Sequence, residues 1–324
     1  MNATSISLST ILLAASLGGC VLNPSSDQEQ ADWRDAIVAN PTSATGCFHA
    51  SYPDMTWSQI DCTPAPSRAF ATITPTTDAA VPFTVGNGSD YALTVTGKIS
   101  AASGTFPRVS GLVSENDQGQ ANTYSIQLNS NFMSGTEACA GATGSNCLSW
   151  AQYVYSSSEQ SAFLQNWLIF YGDTCPSSDW NSDGQGDCFI NSNAASAPTL
   201  PLANDTDLSQ MKMSGKAVNG GNDTLVFASG TDAFTTSEAD SITNLASAWN
   251  SAEFNIIGDG GGTEAVFNKS TAIEVRIGVK DGSTAAPTCS ANDGTTGETN
   301  NRILGACSAF SGAEPAIEFK ETGS

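Results

Sequence analysis

Residues 149–171 read "SWAQYVYSSSEQSAFLQNWLIFY", and the reading of this stretch decides the fold. On an extended backbone successive side chains point to opposite faces, so Trp150, Gln152 and Val154 share one face. The aromatic and β-branched runs "WAQYVYSS" and "AFLQNWLIFY" read as strands, with a polar cluster between them. Working outward, strands are predicted at "YALTVTGKIS", "VSGLVSE", "TYSIQLNSNF", "MKMSGKAV", "DTLVFAS", "AEFNIIGD", "STAIEVRIGV" and "PAIEFKE". Clusters of Gly, Asn, Asp and Ser separate them, as in an all-β sandwich or barrel. One helix is expected in "SEADSITNLASAW", with Thr235 three residues before Glu238 as a capping box.

The chain has 324 residues and is 40% hydrophobic, enough core for one large sandwich. Eleven basic residues against 32 acidic ones leave a net charge of -21, a field that repels nucleic acid and anionic membrane surfaces. The opening "MNATSISLSTILLAASLGGCVL" has an apolar run from Ile11 to Leu17, too short to span a bilayer but suited to a signal-peptide core. It ends in Leu17-Gly18-Gly19-Cys20, which resembles a bacterial lipobox, although no Lys or Arg precedes the run. The expected organisation is a signal peptide over 1–19 and lipidation at Cys20. A flexible tether follows over 20–45, then a single β domain over 46–324. Contact with a membrane is expected only through the lipid, at the outer membrane or cell surface. Plain secretion is the alternative.

Setting Cys20 aside leaves eight of the nine cysteines in four close pairs: Cys47 with Cys62, Cys139 with Cys147, Cys175 with Cys188, and Cys289 with Cys307. Each pair brackets a turn-rich loop, so local disulfides in an oxidising compartment are the expectation. His49 is the single histidine, which excludes histidine-based metal sites and makes a Ser-His-Asp triad depend on one residue beside a disulfide. The "GDGGGT" run at 258–263 lacks the lysine of a phosphate-binding loop. Catalysis, if present, falls to carboxylates, amides or hydroxyls.

In "DWNSDGQGDC", residues 179–188, Asp179, Asn181 and Asp183 occupy positions 1, 3 and 5 of an acidic loop. Gly184 permits the sharp turn, the Gln185 carbonyl falls at position 7 and Asp187 at position 9. This string resembles the calcium loops of thrombospondin type 3 repeats, which implies structural Ca2+. Ile190 stands where an EF-hand has its closing acid, so a further ligand such as Asp173 is needed. A solvated acidic hairpin is the alternative reading.

From about 95 to 280 the chain resembles the glutamic peptidases, the eqolisin and neprosin-like group. The resemblance is carried by "SWAQYVYS" with Gln152, the aromatic strand "AFLQNWLIFYGD", "SAEFNIIGD" with Glu253, and "GTFPRVSG" near 104–111. Asn166 stands before Trp167 where the family has an acid between aromatics, and Asp259 matches only loosely the acid after the Glu strand. The resemblance implies a concanavalin-like jelly roll, a two-sheet antiparallel β-sandwich. It also implies a Glu253/Gln152 dyad cleaving polypeptide at acidic pH. The alternative from another class is a non-catalytic envelope module binding glycan or matrix, with Trp150, Trp167 and Tyr171 stacking on sugar rings.

Overall fold

The computed structural model describes residues 26–70, 90–291 and 297–323. The strands Leu148–Ser156 and Ser161–Ile169 pair antiparallel along their whole length, Trp150 opposite Trp167 and Gln152 opposite Gln165. They lie inside a ten-stranded sheet. Its main path runs Asn181–Ser182, Cys188–Asn191, Ser161–Ile169, Leu148–Ser156, Ser125–Ser130, Ser251–Ile257, Tyr91–Thr94 and Thr288–Ala291. A nine-stranded sheet packs against it, with Cys47–Ser51, Asp232–Ala239, Asn222–Ser229, Lys212–Lys216, Ala101–Ser110, Ala272–Lys280 and Ala316–Thr322 as its body. Every pairing within these two sheets is antiparallel, and the protein is an all-β sandwich. A smaller sheet joins Glu115–Asp117 to Glu264–Phe267, which pairs in parallel with Thr299–Asn300.

Alternation explains the core. Tyr153 and Tyr155 turn inward between the sheets, where Tyr155 stacks on Phe227 at 4.1 Å between centroids and Tyr153 lies against Trp249. Phe106 meets Phe254 at 5.0 Å, and the ring of Phe254 lies so close over Gly104 that a Cβ there would collide with it. Burying each such aromatic side chain contributes roughly 1.5–3 kcal/mol. The residues between them, Gln152, Val154 and Glu253 among them, are thereby placed on the outer face of the ten-stranded sheet. The four disulfides join the expected pairs, Cys47–Cys62, Cys139–Cys147, Cys175–Cys188 and Cys289–Cys307. Each removes roughly 3 kcal/mol of loop-closure freedom from the unfolded chain in the entropic model.

Three expectations are corrected. In the expected tether, where the sequence predicts at most a short helix around "DQEQADWRDAI", the helix runs the full Ser26–Ala39 and is docked on the nine-stranded sheet. Trp33, Ile37 and Val38 pack on Val226, Ala228 and Ala233, while Trp33 Nε1 donates to the Asp54 carbonyl at 2.7 Å. Thr235 and Glu238 do not cap a helix. They lie on the strand Asp232–Ala239, where Thr235 pairs with Val226 and β-branched neighbours favour extension. Helical structure in that stretch is confined to Asp240–Ile242 and Leu245–Ala248. Finally, "VSGLVSE" straddles the end of Ala101–Ser110 and the turn after it, a strand obscured in sequence by Gly104 and Pro107.

Candidate active site

Strand register assembles a polar row on the outer face of the ten-stranded sheet. Asn191 pairs with Gln165, Gln165 with Gln152, Gln152 with Asn129, and Asn129 with Glu253. One step along the same face lie Gln127 and Asn255, themselves a pair. Gln152 and Glu253, 101 positions apart in the chain, thus share a row two strands apart, about 10 Å between backbones at the usual strand spacing. Gln152 is 0% exposed and Glu253 3%.

The amides are oriented by their neighbours. Trp167 Nε1 donates to Gln152 Oε1 at 2.9 Å, and Gln152 Nε2 donates to Gln127 Oε1 at 2.9 Å. The Gln152 carbonyl therefore faces the indole and its NH2 faces the Asn129–Glu253 side. An amide NH2 carries two donors, and Gln127 accepts one. Gln127 in turn donates to Ser125 Oγ at 3.0 Å. Asn129 Oδ1, between the two candidate residues, is buried without a protein partner.

On its other side Glu253 meets a second carboxyl. Asp90 is hydrogen-bonded to Glu253 and also accepts from Asn255 Nδ2. Burial raises the Asp90 pKa, and the hydrogen bonds from Glu253 and Asn255 offset this in part. Two buried carboxyls in contact favour sharing a proton over carrying two charges. Asn255 Nδ2 also donates to Glu321 Oε1 at 2.7 Å, and burial together with the Asp90 charge pushes Glu321 up to about 8. The arrangement is an acid pair backed by amides, a grouping that can hold a shared proton.

Trp150 and Trp167 sit on the same face but are packed with Ile169 and Phe189, their rings 6.3 Å apart, and present no face to solvent. Tyr171 lies in a different cluster, beside Leu168 and the Cys139–Cys147 and Cys175–Cys188 loops. Asn166, which stands before Trp167, points inward to donate to Glu238, so the residue on the site face is Gln165. In the acidic loop Asp183 Oδ1 accepts from the amides of Gln185 at 2.8 Å and Asp187 at 3.0 Å. Asp187 Oδ1 accepts from the Phe170 amide, while its Oδ2 is buried without a partner. Among the described residues no three Asp, Glu, His or Cys side chains are grouped to hold a metal ion. Cys20 lies outside the described residues.

Alternation already puts Asn255 on the face of Glu253, but sequence reasoning missed Gln165, Asn129, Gln127 and Asp90. The alternation Ser125-Gln127-Asn129 was a usable signal, because polar residues at every second position mark a face that is not apolar core. It also missed a segment that crosses this face. Pro66 and Arg68 present their carbonyls to Asn191 Nδ2 at 2.8 and 3.1 Å, Gln165 Nε2 donates to the Arg68 carbonyl at 3.3 Å, and the Phe70 amide donates to Gln165 Oε1 at 2.7 Å.

No family model matches the chain, and no curated protein matches it in sequence. Among solved structures it is similar to SCP-B, described as a member of the eqolisin family of peptidases in complex with the tripeptide Ala-Ile-His. The identity is 11% and the TM-score 0.30, over 73% of this chain and 97% of that one. A likeness of that size carries no argument about chemistry; the side-chain geometry does.

Proposed function

We propose that the protein is an exported hydrolase of peptide bonds that works at acidic pH, with Glu253 and Gln152 as its reacting pair. The observation that carries the proposal is the row itself, with Gln152, Asn129 and Glu253 in register on one face and Asp90 against the acid. In this reading the Glu253 carboxylate takes a proton from a water that attacks the scissile carbonyl. A Gln152 N–H donates to the oxygen as it becomes negative. Glu253 then returns the proton to the leaving amine, and Asp90 shares a proton with it between cycles. Export is supported by the four disulfides, which suit an oxidising compartment. The signal-peptide-like start and Cys20 extend the proposal to a lipid-anchored envelope protein. The glycan-binding alternative gains nothing from the packed Trp150 and Trp167.

The test is proteolysis of an unfolded protein between pH 3 and 5 by the wild type and by Glu253→Gln, with near-UV circular dichroism as the control for folding. Activity in the first and a loss of at least a hundredfold in a folded second is the expected result. Equal rates in both proteins reject the assignment.

A further inference from the structure

The segment that crosses the Gln165 and Asn191 end of the row is held as a bound peptide would be. Amide side chains of Gln165 and Asn191 read its backbone at residues 66, 68 and 70, contacts indifferent to the side chains the segment carries. Two side chains are then read individually. Phe70 is fully buried against Phe163, Val154 and Ala194. Arg68 uses all three of its nitrogens. Nε meets Glu159 Oε1 at 2.7 Å, and Nη2 meets Asp259 Oδ2 at 2.8 Å and Ser158 Oγ at 3.0 Å. Nη1 donates to the Asp259 carbonyl. The guanidinium lies 4.0 Å over the Phe70 ring, so both side chains leave the segment on one side. Ser156 supports the box by donating to Asp259 Oδ1 at 2.7 Å.

The glycine-rich turn after Ser251–Ile257 has its role here. Gly260 has φ +97°, and a Cβ on it would stand 2.6 Å from Arg68 Nη1. The turn therefore passes close beside the guanidinium and lets the Asp259 carbonyl face it. The segment is anchored at its start by the Cys47–Cys62 disulfide and by the bridge of Thr63 to Ala194. Over the described residues Pro66 to Phe70 its hydrogen bonds are side chain to backbone or side chain to side chain, and none is a ladder bond. That is the form of an occupant rather than of a strand.

We propose that this face is a binding site for extended polypeptide carrying a basic residue two positions before an aromatic one, and that Pro66–Phe70 occupies it in cis. The proposal rests on the reading of the polar row as a polypeptide site, and it adds the substrate class and a self-blocked state. A free peptide competes with the tethered copy, whose effective concentration is on the order of millimolar for a short connection.

The experiment uses the full chain with Glu253→Gln at neutral pH, so that binding is read apart from cleavage. The probe is a fluorescent peptide, Ala-Pro-Ser-Arg-Ala-Phe, followed by polarisation. With Arg68→Ala and Phe70→Ala added, the peptide binds at least tenfold more tightly than to the chain with its native segment. Probes with Glu for Arg, or Ala for Phe, lose at least tenfold. Equal affinity for all three probes, or no gain on emptying the face, overturns the proposal. In the chain with residues 66–70 unaltered, millimolar peptide speeds hydrogen exchange at the Phe70 amide as its bond to Gln165 is lost; an unchanged rate overturns the proposal without needing the double variant to fold. Selective binding without cleavage by the Glu253 protein would sink the catalytic reading alone.

Discussion

Glu115→Gln tests whether this fold stores protons. Glu115 is 2% exposed on Glu115–Asp117, and neither carboxyl oxygen has a hydrogen-bond partner of good geometry. Burial first, then the nearby charge of Asp117, pushes its pKa up to about 9, with the Thr123 backbone offsetting this in part. An unfolded Glu titrates near 4.3. Between about pH 5 and 8 the native state then holds one proton that the unfolded state has released. The sign follows from linkage: stability is fully present below the unfolded pKa and is lost as pH rises toward the folded one. The slope is about 1.4 kcal/mol per pH unit, about 4 kcal/mol over that window at most, and relaxation around the charge brings the expected figure to roughly 2–4 kcal/mol. Glutamine has nearly the same shape and no charge. Urea unfolding followed by tryptophan fluorescence should find Glu115→Gln close to the wild type at pH 4.5 and more stable by that amount at pH 8. Parallel stability–pH curves for the two proteins would refute the reasoning. Asp223, raised to about 9, and Glu238, raised to about 8, act with the same sign, so the wild type itself should unfold at higher urea at pH 5 than at pH 8.

Three other perturbations follow from the same structure. Gln152→Ala removes the proposed oxyanion donor and should cost about 10²–10³ in kcat for acid proteolysis with little change in KM, and a pure KM effect would assign Gln152 to binding. Gly104→Ala drives a methyl into the Phe254 ring and should destabilise by roughly 1–3 kcal/mol, read as a lower urea midpoint; an unchanged midpoint would mean that the sheets are not packed this closely. For the acidic loop we propose that Ca2+ draws on the unpartnered Asp187 Oδ2, whose carboxyl burial raises to about 6. Calcium at a hundred times its Kd would then raise stability by about 2.7 kcal/mol, and a Tm indifferent to calcium and chelator would reject the ion.

What could be read from the sequence was local, and what could not was set by register. Alternation in 149–171 gave two strands and their faces because it needs only neighbouring residues, and the disulfides joined near neighbours for the same reason. The capping-box spacing at Thr235 and Glu238 is also local, yet it misled, because pairing with Asn222–Ser229 overrides a helical preference that a few residues carry. Asn166 shows how sharp the dependence is. One position decides whether a polar side chain joins Glu238 between the sheets or, as Gln165 does, joins the row outside. The fact that matters most for chemistry, that Asn129 stands between Gln152 and Glu253, depends on two strand pairings and leaves no trace in any single segment. The reach of Arg68 to Asp259, 191 residues away, is the same kind of fact. A carboxylate placed on that face by alternation alone would face water at ordinary pKa. What sets this row apart is the combination of an acid neighbour in Asp90, amide side chains in register with Glu253, and a segment of chain bound at the Gln165 and Asn191 end.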